Sequence, residues 1–420
     1  MEKYKIKMPH WPKPIANPPF NPAIRVRKLL GKLGNPELKL PPIIHVGGTK
    51  GKGSTLSFLQ AMLESAGYKV HVYSSPHLAR FNERIVLAGR EISDDELYEV
   101  IEQVRIAAGD DEVGFFDATT AAAVLAFANN PADILLMEMG LGGAVDATNI
   151  IDNPLLTIIT SISYDHQEHM GETLEEITAF EAGILKPGVN CVVSPQEDEV
   201  LAVLQEKAGE IGSPLYIGGQ HWVSRKYENA MIFADSYGSV TLPLPNMLGE
   251  HQIINAGNAI AAITALEDFE VDEGDIIAGL ANANRQGRLQ RLYPNTLAGN
   301  FELWFDGGHN PAAALAIADF AEVNWQDKPL YILFGTTQGK DLLGMLQPFI
   351  GLTKKIYAVE VKSEPKSYKP EKIVETLKFV TNLQVADSLE DAIKEIAGEC
   401  CDFRVLIFGS LYLWLESASL

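Results

Sequence analysis

Cysteine is scarce in this sequence: three in 420 residues, at Cys191 and the adjacent pair Cys400 and Cys401. That spacing fits neither a zinc cluster nor a disulfide framework, so all three are expected to act as small packing residues. Long apolar runs are missing too. Nothing approaches the ~18 residues that a bilayer span needs, and the opening MEKYKIKMPHWPKP has no apolar stretch before a small-residue cleavage site. A cytoplasmic protein is expected. Positive charge is in short supply, with 34 Lys and Arg against 55 Asp and Glu and a formal net charge of −21. Nucleic acid and membrane are therefore not expected as partners, because both reward clustered basic side chains. Low-complexity tracts are absent, and 46% hydrophobic with 21% charged residues is the balance of a folded globular chain.

At this length a single hydrophobic core usually gives way to two domains. From Ile43 onward, short apolar runs alternate with helical patterns, as in a mostly parallel sheet covered by helices, so the expected fold class is α/β. The clearest strands are Ile43 to Val46, Ile134 to Met139, Leu155 to Ile162, Cys191 to Ser194, Glu302 to Phe305, Leu330 to Phe334, Lys355 to Val361 and Arg404 to Phe408. Helices are expected at Ala23 to Leu33, Ser54 to Ala66, Ala259 to Leu280 and Ala312 to Glu322. A polar, Arg-containing stretch from Arg285 to Gly299 precedes a fresh β/α alternation, which sets a boundary near Leu292 and two domains, 1–291 and 292–420.

The run Ile43 to Val46, Gly47, Gly48, Thr49, Lys50, Gly51, Lys52, Gly53, Ser54 reads as strand, glycine-rich loop and helix start. Such a loop cradles phosphate. Glycines let backbone N–H groups approach an anion, the helix N-terminus adds positive potential, Lys52 can reach the β/γ-phosphates and Ser54 can ligate Mg²⁺. Gly53 between Lys52 and Ser54 departs from the usual spacing. Glu138 ends the apolar strand Ile134 to Met137, where P-loop enzymes place a metal carboxylate. Asp165 and His166 follow the next strand as further candidate ligands, although Mg²⁺ favours oxygen over imidazole.

Together these residues resemble the folylpolyglutamate synthase and dihydrofolate synthase group of the Mur ligase superfamily. The resemblance is carried by Gly48 to Ser54, Ser74 to His77, Phe81 to Arg84, Glu138 to Gly143, Asp146 to Asn149, Asp165 and His166, Ala182 to Gly188, His251, Gln252 and Asn255, Gly287 to Arg291, Asp306 to Pro311 and Gly409 to Leu413. It implies a P-loop ATPase domain, a smaller Rossmann-like C-terminal domain and catalysis in the cleft between them. It also implies ATP with Mg²⁺, and K⁺ as an optional accompanying ion, in a monomer that acts on small molecules. Gly48, Thr49, Gly51, Lys52, Gly53, Ser54, Asn255 and Arg288 would contact ATP, and Asp306 its ribose. Ser54, Ser75, Glu138 and His166 would hold the metal. Phe81, Arg84, Asp146, Thr148 and Asn149 fall where the pterin binds, and His309 and Ser410 where glutamate binds. The Pro-rich start, with His10, Trp11, Pro12 and Pro14, is either part of the pterin pocket or a packed arm.

The expected reaction joins L-glutamate to dihydropteroate or a reduced folate through an acyl phosphate, with Lys52, Arg288 and Mg²⁺ supplying counter-charge. One departure stands out. The family has a carbamylated lysine just before AGILKPG, where this chain has Phe180 and Glu181. Glu181 is expected to replace that carbamate with a permanent carboxylate; otherwise it lies on a helix surface. Two other functions remain at this point, a Mur-type ligase on a cell-wall precursor and a nucleotide-binding homologue without ligase activity. SSPHLARFNER matches the folate branch and weighs against the first.

Overall fold

The computed structural model describes residues 21–293 and 300–420, so His10, Trp11, Pro12 and Pro14 lie outside the described residues. The chain forms two compact units, Met1–Asn246 with Gln252–Asn284, and Met247–His251 with Arg285–Leu420. Among the described residues no helix is long and apolar enough to cross a membrane.

The first unit is built on an eight-stranded sheet. Its strands are β1 (Ile43–Gly47), β2 (Val70–Tyr73), β3 (Ile85–Leu87), β4 (Arg90–Glu91), β5 (Ile134–Glu138), β6 (Leu156–Ile159), β7 (Cys191–Val193) and β8 (Leu215–Ile217), in the order β4-β3-β2-β5-β1-β6-β7-β8. From β2 to β8 neighbours run parallel, and β3 and β4 add an antiparallel edge. β1 and β5 are buried along their whole length, which is why they read as unbroken apolar runs. The sequence strand Leu155 to Ile162 is shorter in the structure: Thr160 N still donates to Gly47 O at the end of β1, but Ser161 turns to the loop after β1, where Thr49 N and Lys50 N both donate to its carbonyl.

A second, three-stranded antiparallel sheet, β9 (Trp222–Tyr227), β10 (Ala230–Asp235) and β11 (Gly238–Pro243), was not anticipated from the sequence. The helix expected from Ala259 to Leu280 is two helices, Glu250–Thr264 and Glu273–Asn282. The acidic linker ends in Asp272, whose carboxylate accepts the Asp275 N–H at 2.9 Å, and such an N-cap starts a new helix rather than continuing the old one. The helix Glu273–Asn282 then packs on the helix Lys52–Ser65 so closely that a Cβ on Gly279 would sit 2.4 Å from Met62 Cγ. Cys191 is buried as expected, whereas Cys400 is half-buried and Cys401 exposed.

The second unit carries a six-stranded sheet of β12 (Gln290–Leu292), β13 (Asn300–Asp306), β14 (Leu330–Phe334), β15 (Thr353–Ala358), β16 (Leu383–Val385) and β17 (Asp402–Phe408), ordered β12-β13-β17-β14-β15-β16. All pairs are parallel except β12 with β13. Its core includes Ile332, Phe334, Phe349, Ile356, Leu406 and Phe408.

Candidate active site

Parallel sheets present ligands at the carboxyl ends of their strands, and in the first unit the sequence-predicted residues collect there. Ser75 follows β2, Glu138 ends β5, the glycine loop follows β1, and Asp165 and His166 follow β6, on four adjacent strands. The loop has the backbone a phosphate cradle needs. Gly48 and Gly51 have φ of 111° and 90°, and a Cβ there would lie 2.4 Å from Thr160 Oγ1 and 2.3 Å from Asn255 Oδ1, so both positions demand glycine. Thr49 Oγ1 donates to Ser163 O at 3.2 Å and accepts from Ser163 N at 3.1 Å. Lys52 Nζ bonds Gly48 O at 2.5 Å and Thr49 O at 3.4 Å. Ser54 is buried on the first turn of the helix Lys52–Ser65, and Asn255 stands against the loop.

Glu138 is 4% exposed, and its Oε2 accepts the Ser75 N–H at 3.1 Å. His166 is exposed at φ 48°, where its own N–H donates to Asp165. No cluster of three or more His, Cys, Asp or Glu set to hold a metal occurs among the described residues. Of the expected donors, Glu138, Ser54 and Ser75 offer oxygen, which suits Mg²⁺ completed by nucleotide oxygens, and His166 would add one imidazole nitrogen.

Glu181, the last residue of the helix Leu174–Glu181, is not on a helix surface. It is 2% exposed, and its Oε2 accepts the Gly48 N–H at 3.1 Å. Burial raises its carboxyl pKa, Lys52 and the Gly48 N–H oppose that rise, and nearby Asp146 adds to it.

Beside these residues lies an apolar cavity of about 420 Å³ lined by Pro22, Ser75, Arg84, Phe115, Phe116, Leu141, Asp146, Met170 and Phe180, among others. Arg84 is 7% exposed. Its Nε donates to His77 Nδ1 at 2.8 Å, and its guanidinium lies 5.6 Å from the Phe81 centroid and 5.8 Å from that of Phe115. Burial, then the Arg84 charge, lower the His77 pKa. Asp146 Oδ1 accepts from Thr148 N at 2.9 Å and Thr148 Oγ1 at 2.5 Å, and Oδ2 accepts from Leu141 N at 2.8 Å. Of the five residues expected at the pterin, Arg84 and Asp146 line the cavity and Phe81 packs edge-on against Phe115. Thr148 lies behind Asp146, while Asn149 donates to Gly143 O and Gly183 O and accepts from Lys186, tying the turn together. Phe115 and Phe116 were missed. The available signal was a pair of aromatics at the start of a helix (Phe115–Ala128), with Phe115 50% exposed.

In the second unit the loops after β13 and β17, which are neighbours, carry the expected residues. Asp306 is 6% exposed; its Oδ2 accepts from Leu289 N at 2.8 Å and its Oδ1 from Gly308 N at 2.7 Å. It thereby fixes the backbone just after Arg288 and just ahead of His309, whose Nδ1 lies 3.1 Å from Gly307 O. Arg288 Nη1 donates to Gly287 O at 3.3 Å. Asn310 and Pro311 have an ordinary role: Asn310 Oδ1 accepts the Ala313 N–H and Pro311 opens the helix Pro311–Asn324. Ser410 is buried, and its Oγ accepts the Tyr412 N–H at 3.2 Å.

Comparison with known proteins agrees. The Mur ligase middle domain model matches residues 46–263, and the model for the C-terminal domain of dihydrofolate synthetase matches residues 290–417. The dihydrofolate synthase/folylpolyglutamate synthase of Bacillus subtilis is 30% identical over 92% of this chain and 92% of its own. The structure of Escherichia coli FolC in complex with DHPP and ADP superposes with a TM-score of 0.86 at 29% identity, covering 96% of this chain and 93% of that one. A bifunctional folylpolyglutamate synthase/dihydrofolate synthase with Mn, AMPPNP and L-glutamate bound gives a TM-score of 0.83 at 28% identity, over 94% of this chain and 93% of that one. This chain belongs to the folylpolyglutamate synthase/dihydrofolate synthase family of Mur-type ligases.

Proposed function

We propose that this protein is an ATP-dependent ligase that couples the amine of L-glutamate to the carboxylate of dihydropteroate or a reduced folate, with ADP and phosphate as co-products. The observation that carries this reading is the apolar cavity with Arg84 and Asp146 on its wall, formed in the same unit as the glycine loop. A flat aromatic pterin suits a cavity lined by Phe115, Phe116 and Phe180.

The residues divide the work. Gly48, Thr49, Gly51, Gly53 and Ser54 hold the phosphates through the loop backbone, and Lys52, released from its carbonyl partners, offsets the charge on the transferring phosphoryl group. Ser54, Ser75, Glu138 and His166 would hold Mg²⁺, which when bound would supply positive charge against the nucleotide phosphates. Glu181 adds a carboxylate next to Gly48 in place of a carbamylated lysine. Asn255, Arg288 and Asp306 bind the nucleotide. The substrate carboxylate takes the γ-phosphoryl group to give an acyl phosphate, and the glutamate amine, held by His309 and Ser410, attacks it. No side-chain nucleophile is required, because positioning and charge neutralisation carry the rate.

Domain roles follow the same division, with residues 1–291 for the pterin and most of the ATP contacts and 292–420 for the glutamate end and the Asp306 contact to the nucleotide. A cytoplasmic monomer with small-molecule partners is consistent with the net charge of −21. The test is ADP formation by purified protein with Mg²⁺, ATP and glutamate, comparing dihydropteroate with tetrahydrofolate and omitting each component in turn. ADP release that needs both carboxylate and glutamate supports the reading. Silence with both pterins, or ATP hydrolysis that ignores them, rejects it.

A further inference from the structure

His45 lies on β1, two residues before Gly47, and its ring is 1% exposed. Its Nε2 lies 2.8 Å from Thr148 Oγ1, and Thr148 Oγ1 in turn lies 2.5 Å from Asp146 Oδ1. A hydroxyl has one hydrogen to give. Thr148 gives its hydrogen to the Asp146 carboxylate, so the bond from His45 must run the other way, with Nε2–H donating to Thr148 Oγ1. A neutral ring in the Nε2–H form satisfies the chain. Burial, then the Lys186 charge, push the His45 pKa down to about 3, in keeping with a neutral ring.

We propose that His45 is a positioning residue for the pterin cavity: its Nε2–H holds the Thr148 hydroxyl, which holds the Asp146 carboxylate in the orientation presented to the cavity. Only Asp146 of the three lines the cavity, so His45 acts through Thr148 without touching substrate. Asp146 needs such support. Oδ1 accepts from the Thr148 N–H and hydroxyl and Oδ2 from Leu141 N, with the Gly140 backbone as a further donor to the carboxylate. Loss of the hydroxyl would remove the side-chain donor to this carboxylate and loosen its orientation. The inference rests on the reading that this cavity takes the pterin.

The experiment compares the parent with His45→Leu, Thr148→Val and the double variant, and with the conservative His45→Gln and Thr148→Ser, in ADP formation at saturating glutamate. Each disruptive single change should raise KM for dihydropteroate about tenfold, the size of one hydrogen bond to a charged group, with KM for ATP within about twofold. Because the two residues act in one chain, the double variant should stay near the single ones rather than multiply them. Thr148→Ser and His45→Gln should recover most of the loss. Multiplying effects, an unchanged KM for dihydropteroate, or equal losses toward ATP would overturn the proposal. If His45→Leu does not fold, the contrast of Thr148→Val with Thr148→Ser carries the kinetic test. Nitrogen NMR of the imidazole is independent of turnover: an Nε2–H ring in the parent that changes in Thr148→Val supports the chain, and an Nδ1–H ring contradicts it. A parent with no dihydropteroate-dependent turnover would reject the functional reading, and the NMR result would still decide the chain.

Discussion

Burial holds the Glu181 carboxyl above the ordinary carboxylate value of 4.5, while Lys52 and the Gly48 N–H pull it back. The folded chain therefore keeps a proton there over an interval in which the unfolded chain has released it. Stability is lost as pH rises above 4.5 through the raised folded value. Glu181→Gln abolishes that titration, and an amide oxygen can still accept the Gly48 N–H. Thermal melts without Mg²⁺ should show the variant losing less stability than the parent as pH rises from acid to neutral. Its Mg²⁺-dependent turnover should fall by roughly 10–100-fold, the range seen when groups around a metal are altered. Unchanged kinetics would remove Glu181 from the reaction. At this scale the sequence was informative about identity and silent about contact. The motif named Asp146, Thr148 and Asn149 together, yet only Asp146 reaches the cavity wall. A residue list carries no direction for a side chain within a turn. Phe116 was missed for a similar reason, since an aromatic at a helix start reads as core until its neighbours, here Gly140 with a virtual Cβ 2.6 Å from the ring, are known.

Among the elements, buried parallel strands were the most legible. Leu330–Phe334 falls where the apolar run placed it, and Ile43 and Ile134 begin β1 and β5. The sheet of β9, β10 and β11 was not, because its exposed positions break the apolar runs: β9 carries Val223, Arg225, Lys226 and Tyr227 on its outside. The glycine loop gives the prediction proper to this scale. Gly51→Ala would place a Cβ 2.3 Å from Asn255 Oδ1 at a φ of 90°. Strain of that kind costs about 1–3 kcal/mol, so KM for ATP should rise about tenfold or more while the KM for dihydropteroate moves little. Equal rises in both, measured in the same assay, would mean that the loop does not act as a separate nucleotide element.

For the molecule as a whole, the α/β class and the presence of two units were readable from the alternation of runs. The unit boundary was harder. The second unit takes up the chain at Arg285 and also claims Met247–His251, a discontinuity that no linear scan of composition reveals. The reaction assigned to the whole chain passes through an acyl phosphate, and that intermediate leaves a mark on the products. Dihydropteroate labelled with heavy oxygen in its carboxylate, turned over once with ATP, glutamate and Mg²⁺, should pass one labelled oxygen to the released phosphate, as read by mass spectrometry. Phosphate without label, formed alongside glutamylated product, would contradict the account.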